Sequence, residues 1–230
     1  MNKCLICQGE LEKAVSWRSV FFLDEQESAC CADCSSKFCL IEGTVCPMCD
    51  RPQSEAKACY DCERWQADPL FGSVLAGNHS VYHYNEFMKE LIARYKYRGD
   101  AQLAELFYEP FRNVFSKHFS KNSLLIPIPL SKERLYERGF NQARLLAELL
   151  DAPIHEPLMR IHLEKQSKKT RTERLQTENV FFINGASEFF GKNLLLIDDI
   201  YTTGTTIRHA AKLLIDHGAE SVSSLTLVRG

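Results

Sequence analysis

Two adjacent carboxylates, Asp198 and Asp199, stand before a run of hydroxyls, Thr202, Thr203, Thr205 and Thr206, gathered around Gly204. A short apolar run, Leu194–Ile197, precedes them with the length and flanks of a buried parallel strand, and an amphipathic segment runs from Ile207 to Gly218. A strand, a hydroxyl-rich turn and a helix start form an anion site, because the turn amides and the helix N-terminus supply oriented donors and partial positive charge. Gly204 lets the backbone approach a phosphate closely, and the threonine hydroxyls add donors. Carboxylates repel a bare phosphate, so Asp198 and Asp199 imply something else to bind: the vicinal hydroxyls of a ribose beside that phosphate. The plainer alternative is an ordinary strand end with Asp in a turn and Thr as a helix cap; the agreement of strand, turn and helix favours the ligand site. No Gly-Lys-Thr/Ser follows the glycine, which excludes a Walker A loop.

This pattern resembles the phosphoribosyl diphosphate (PRPP) motif of type I phosphoribosyltransferases. The resemblance implies that the acidic pair holds the ribose 2′- and 3′-hydroxyls and that the threonine loop grips the 5′-phosphate. PRPP also carries a diphosphate, which requires a second anion site. The loop Pro127–Arg138 is the candidate, with Arg134 and Arg138 as donors; solvation of a charged helix start is the competing explanation. A Mg²⁺ bridging diphosphate and ribose hydroxyls is expected with PRPP, since this ion prefers phosphate oxygens and keeps several waters. Tyr201 lies beside the motif, where it can stack on a ligand ring or serve packing. The scattered histidines, His155, His162, His209 and His217, form no acceptor-reading or nucleophile-activating constellation. A general-base role for Asp198 or Asp199 rests on fold analogy alone.

The second chemistry-bearing set is cysteine. All ten cysteines lie in the first 62 residues, and eight of them form C-x-x-C pairs: Cys4/Cys7, Cys31/Cys34, Cys46/Cys49 and Cys59/Cys62. Each pair can present two thiolates to one tetrahedral ion, so the four pairs supply two closed four-sulfur sites, expected to hold structural zinc. Sequential pairing is the expectation, although the spacing also permits an interleaved arrangement. Disulfides are disfavoured by a reducing compartment, and redox chemistry would need only one pair. A segment of about 65 residues with few large aliphatics cannot stabilise itself by burial alone, and metal binding supplies what is missing.

Residues 165–177 carry five positive charges against one negative without apolar periodicity. Lys168, Lys169, Arg171 and Arg174 in this segment can form a lid over the ligand, an arm tracking the phosphates of single-stranded DNA, or a solvated loop. Globally the chain is close to neutral, with a net charge of −2 concealing −5 over residues 1–78 and +3 over the rest. That balance excludes a nucleic-acid protein driven by overall charge but leaves a local basic patch open. The first residues, Met1–Cys7, lack the long apolar stretch of a secretory leader. No apolar run approaches the roughly 18 residues of a membrane span. A cytoplasmic protein without membrane insertion is expected.

These groups must be positioned by elements that the pattern also outlines. Ser80–Tyr84 has strand character, and Asn85 caps a helix with Phe87, Met88, Leu91, Ile92 and Tyr95 on its apolar face, ending near Gly99. A second helix spans about Ala101–His118. Leu124–Ile126 is a short strand entering a proline-stiffened loop, and a helix follows Arg138-Gly139-Phe140-Asn141-Gln142 through Leu150. Val180–Ile183, Leu194–Ile197 and Val222–Val228 are further strands. Strands alternating with helices imply an α/β fold with a parallel sheet, whose ligands bind beyond the strands' carboxyl ends.

The full set of segments resembles the ComF (ComFC/GntX-like) family over essentially the whole chain. The resemblance rests on the cysteine knuckles, Lys96-Tyr97-Arg98-Gly99-Asp100, Ile126-Pro127-Ile128-Pro129-Leu130, Arg138-Gly139-Phe140-Asn141-Gln142, and Leu196-Ile197-Asp198-Asp199 with its Thr-Gly loop. It implies a type I phosphoribosyltransferase-like parallel sheet flanked by helices (residues 70–230), preceded by a small double zinc-ribbon domain (residues 1–69). It further implies a role in natural transformation, with a ComFA-type DNA helicase as partner in single-stranded DNA uptake and processing. Two functions remain open at this point. One is a zinc-anchored adaptor that binds PRPP or nucleic-acid phosphate without chemistry; the other is an active phosphoribosyltransferase with an unidentified acceptor.

Overall fold

The structure is a computed structural model, and it describes residues 3–11, 29–96, 100–160, 181–184 and 189–230. Its centre is a four-stranded parallel sheet in the order β1-β6-β5-β2, from β1 (Asn78–His83), β2 (Leu124–Pro127), β5 (Asn193–Tyr201) and β6 (Ser221–Arg229). Along β5, Leu194 and Leu196 face one core and Leu195 and Ile197 the other. That two-residue alternation with both faces covered explains why the strand reads as an unbroken apolar run.

One face carries α3 (Glu86–Tyr95), a 3-10 helix (Ala101–Phe107), α4 (Tyr108–His118) and α6 (Gln142–Glu148). Asn85 caps α3 as expected, its Oδ1 accepting the amide of Met88 at 2.7 Å. The single helix expected over Ala101–His118 is instead two elements. Pro110 has no amide to give and its ring disfavours a continuous turn through Leu106, so the chain tightens into 3-10 geometry before α4 begins. The opposite face carries α7 (Thr205–Asp216), whose Ile207, Ala210, Ala211 and Leu214 are buried there.

The same core takes in Cys46, Cys49, Cys59 and Cys62 together with Val74 and Leu75, so apolar packing is continuous across residue 69. Two short helices belong to the cysteine-rich part, α1 (Ala32–Ser35) and α2 (Tyr60–Gln66), each starting just after a cysteine. The expected strand near 180–183 does not join the parallel sheet. Its described residues form β4 (Phe181–Ile183), paired antiparallel with β3 (Leu158–Arg160) in a separate two-stranded ribbon. No helix among the described residues is long and apolar enough to cross a membrane.

Candidate functional site

The crevice arises from unequal strand lengths. β2 pairs with β5 only as far as Pro127 opposite Ile197, whereas β5 continues to Tyr201 against β6. Asp198 and Asp199 therefore lie within β5 rather than after it, on an edge that β2 has vacated. The chain leaving β2 makes one last link, Ile128 N–H donating to Ile197 O at 2.9 Å, and then turns away. Asn141 Nδ2 donates to Ile128 O at 3.1 Å and fixes that departure.

The loop continues into α5 (Lys132–Arg138), capped by Ser131 and stopped by Gly139 in the left-handed region at φ +84°. Asn141 then caps α6, its side chain accepting the Ala143 amide at 3.0 Å. Thus the Arg138–Gln142 stretch is a helix stop and a helix start, which turns Arg138 and Gln142 toward the same cavity.

That cavity, of about 250 Å³, gathers Asp198, Asp199, Thr202, Thr206, Arg134 and Arg138 of the sequence-based set. It also gathers Lys96, Asn141, Gln142 and Arg160, which sequence reasoning had not assigned to the site. Lys96, Asn141 and Gln142 lie in motifs quoted above and carried that signal. Arg160, on β3, lies in no motif; only the pairing of β3 with β4 brings it to the cavity.

Electrostatically the site is two halves of opposite charge, carboxylates on one side and arginines on the other. Burial, and then the adjacent Asp199, push the Asp198 carboxyl well above the usual carboxylate range. Asp198 Oδ1 accepts the Asp199 amide at 2.9 Å, and Lys96 Nζ lies 2.6 Å from Asp199 Oδ2. The contact pairs the two charges, and Oδ2 has no further partner among the described residues. Across the cavity, burial pulls the Arg138 and Arg160 guanidinium pKa values down, and neighbouring Arg134 adds to both shifts. Arg138 Nη1 donates to Gln142 Oε1 at 2.8 Å, which holds its head in place. Crowded, partly desolvated arginines favour an anion between them.

The threonine loop is shorter than the sequence suggested. Thr205 and Thr206 form the first turn of α7, and Gly204, at φ +82°, is its N-cap. No side chain among the described residues caps that helix start, which leaves its first-turn amides as donors. Thr202 and Thr206 reach the cavity, whereas the Thr203 and Thr205 hydroxyls lie 2.9 Å apart and bond to each other. Tyr201 does not line the cavity. Its ring is buried beneath the loop, 2% exposed, and a Cβ added at Gly204 would collide with its hydroxyl. Of the two roles open to Tyr201, the structure favours packing.

The cysteines fall into the sequential pairing, Cys4/Cys7/Cys31/Cys34 and Cys46/Cys49/Cys59/Cys62, with the sulfurs of each set within 4.8 Å of one another. Contacts of 3.7 Å for Cys7–Cys31 and for Cys49–Cys59 match the edge of a tetrahedron built on metal–sulfur bonds of about 2.3 Å. All eight thiols are free, so the residues present fit a metal ion in each set. Hydrogen bonding with Cys62, and against the opposing effect of burial the Arg229 guanidinium, pull the Cys49 thiol down to about 4. Lys168, Lys169, Arg171 and Arg174 lie outside the described residues.

Parallel sheet, carboxylate pair and cation-lined crevice define a phosphoribosyltransferase-type domain, and residues 137–230 match the phosphoribosyl transferase domain family. Competence protein ComFC of Bacillus subtilis is 49% identical over 229 residues, covering 98% of this chain and 94% of that protein. Competence protein ComFC of Streptococcus pneumoniae is 36% identical, covering 99% of this chain and 100% of that protein. DNA utilization protein YhgH of Escherichia coli O157:H7 is 26% identical, covering 86% and 89%. The chain belongs to the ComFC family of competence proteins.

Proposed function

We propose that the crevice at the end of β5 binds PRPP, with Asp198 and Asp199 accepting the ribose hydroxyls and the Thr202–Thr206 loop donating to the 5′-phosphate. Arg134 and Arg138, joined by Arg160, take the diphosphate. The single observation that carries this reading is the pairing of a carboxylate couple with a cluster of partly desolvated arginines across one cavity of about 250 Å³. A ligand that is neutral and hydroxylated at one end and anionic at the other satisfies both halves. Hard oxygen donors beside a phosphate site also suit Mg²⁺, which supplies charge neutralisation between diphosphate and ribose.

In the cell this binding serves natural transformation. The relatives named competence proteins support that role, and a ComFA-type helicase is the expected partner in handling single-stranded DNA in the cytoplasm. The basic segment with Lys168, Lys169, Arg171 and Arg174 supplies phosphate contacts to that strand. The two cysteine sets hold structural zinc, as closed four-thiolate sites.

Calorimetric titration with PRPP and Mg²⁺ tests the site. Binding that vanishes in the Asp198→Asn, Asp199→Asn double variant while the fold survives is the expected result; retained affinity removes the ribose assignment. Release of diphosphate on adding a panel of bases would extend the reading from binding to transfer. Salt-sensitive binding of single-stranded DNA should weaken when Lys168, Lys169 and Arg171 are neutralised together.

A further inference from the structure

The carbonyls of the anion loop are all held from behind; beside the β-ladder bond from Gly230 N–H to Tyr201 O at 2.9 Å, the groups that hold them come from the second cysteine module or are tied to it. Arg229 Nη1 donates to Tyr201 O at 3.0 Å and to Thr202 O at 2.8 Å. Trp65 Nε1 donates to Thr203 O at 2.6 Å. Arg229 is anchored in turn: its Nε donates to Cys49 O at 2.9 Å and its Nη2 to Cys49 Sγ at 3.2 Å. Trp65 lies on α2 one turn beyond Cys62, and the Arg208 guanidinium stacks 5.3 Å from its ring. Arg229, Trp65 and Arg208 are 3%, 9% and 1% exposed.

In a trans peptide the carbonyl of one residue and the amide of the next point in opposite directions, and the described chain has no cis bond. Fixing the carbonyls of Tyr201, Thr202 and Thr203 therefore turns the amides of Thr202, Thr203 and Gly204 away from Arg229 and Trp65. No carbonyl or side chain among the described residues accepts those three amides. A loop free to rotate these peptides would present a mixture of N–H and C=O to a phosphate, and the carbonyls would repel it.

We propose that Trp65 and Arg229 are positioning residues for the phosphate loop, through which the Cys46–Cys62 metal module sets the direction of the loop amides. This rests on the assignment of the loop to the 5′-phosphate of PRPP. It adds a task for the cysteine module beyond stability: the module preorganises the donors so that the ligand does not have to.

The test uses the full, metal-loaded chain and two variants, Trp65→Phe, which keeps an aromatic ring but removes the indole N–H, and Arg229→Lys. Calorimetry is run with PRPP plus Mg²⁺, with ribose 5-phosphate and with pyrophosphate, and metal content is measured in every sample. Trp65→Phe is expected to weaken PRPP and ribose 5-phosphate by the same factor, tenfold or more, with pyrophosphate affinity and metal content unchanged. A general loss of structure would lower all three affinities together and overturns the positioning role, as does unchanged affinity for both ribose ligands. Should the parent chain bind neither ribose ligand, the PRPP assignment itself fails. The positioning role is then judged from backbone amide NMR, where unshifted Thr203 and Gly204 signals in both variants overturn it and displaced signals sustain it.

Discussion

Lys96 Nζ and Asp199 Oδ2 lie 2.6 Å apart, with side-chain exposures of 28% and 14%, so the carboxylate proposed to read the ribose is balanced by a cation from the far end of α3. Without it, Asp199 would face Asp198 with Arg138, across the cavity, left to offset the pair. Lys96→Met is expected to destabilise the protein by about 1–3 kcal/mol at neutral pH, between the small value of an exposed pair and the larger cost of breaking a buried one. The loss should shrink as pH falls and Asp198, whose ionised form Lys96 also favours, takes up its proton. Urea unfolding of parent and variant at pH 7 and pH 4 measures this; an equal loss at both values would show that Lys96 acts through packing.

Asp198 makes the opposite prediction for stability. Its folded pKa is raised above that of the unfolded chain, chiefly by burial and then by Asp199. The folded state therefore prefers the protonated form, and the penalty is absent below the unfolded value and complete once pH has risen through the folded one. Asp198→Asn should raise the melting temperature at neutral pH, by about 2–4 °C for each kcal/mol relieved in a chain of this size. PRPP affinity in the parent should climb over the same pH interval, because ribose hydroxyls need an ionised acceptor. The asparagine variant should bind weakly and without that dependence.

Gly204 and Tyr201 form a matched pair. Gly204 sits at φ +82°, where a side chain costs about 1–2 kcal/mol, and a Cβ there would collide with the Tyr201 hydroxyl. Gly204→Ala should lower the melting temperature and abolish ligand binding together. Among the described residues the buried Tyr201 hydroxyl has no hydrogen-bond partner, an arrangement that costs about 1–3 kcal/mol. Tyr201→Phe removes that oxygen and should leave the protein equally or more stable with its binding intact. A clear loss of binding in Tyr201→Phe would return the phenol to the ligand site.

What was legible in the sequence was local. The C-x-x-C knuckles and the Asp198–Thr206 run each encode their geometry within a few residues, through ligand spacing in one case and a strand–turn–helix succession in the other. Asn85 and Asn141 likewise announce helix starts by their own side-chain chemistry. What escaped depends on register and on elements far apart in the chain. Arg160 reaches the crevice only because β3 pairs with β4 outside the main sheet. Arg229 reaches Tyr201 only because β6 aligns those two residues across the ladder, and its anchor, Cys49, is 180 positions earlier. The length of β5 was missed for a related reason: Asp198 and Asp199 have poor strand propensity, but pairing with Thr226 and its neighbours on β6 carries the strand past them.

The two cysteine sets differ in accessibility, and that difference should appear in metal release. In the first set Cys7 is exposed and Cys31 only partly buried, whereas all four members of the second are buried. The second is also packed into the sheet core with Val74, Leu75 and Leu196. Elemental analysis of protein purified without chelator should find about two zinc ions per chain. A chelator with a colorimetric zinc readout should then remove them in two phases, the first from Cys4/Cys7/Cys31/Cys34. Fold and ribose 5-phosphate affinity should persist through the fast phase and fall with the slow one, since only the second set touches Arg229 and carries the helix bearing Trp65. Cys7→Ser should abolish the fast phase and leave one ion. Single-phase release of both ions, or loss of ligand affinity with the first, would contradict this division of labour.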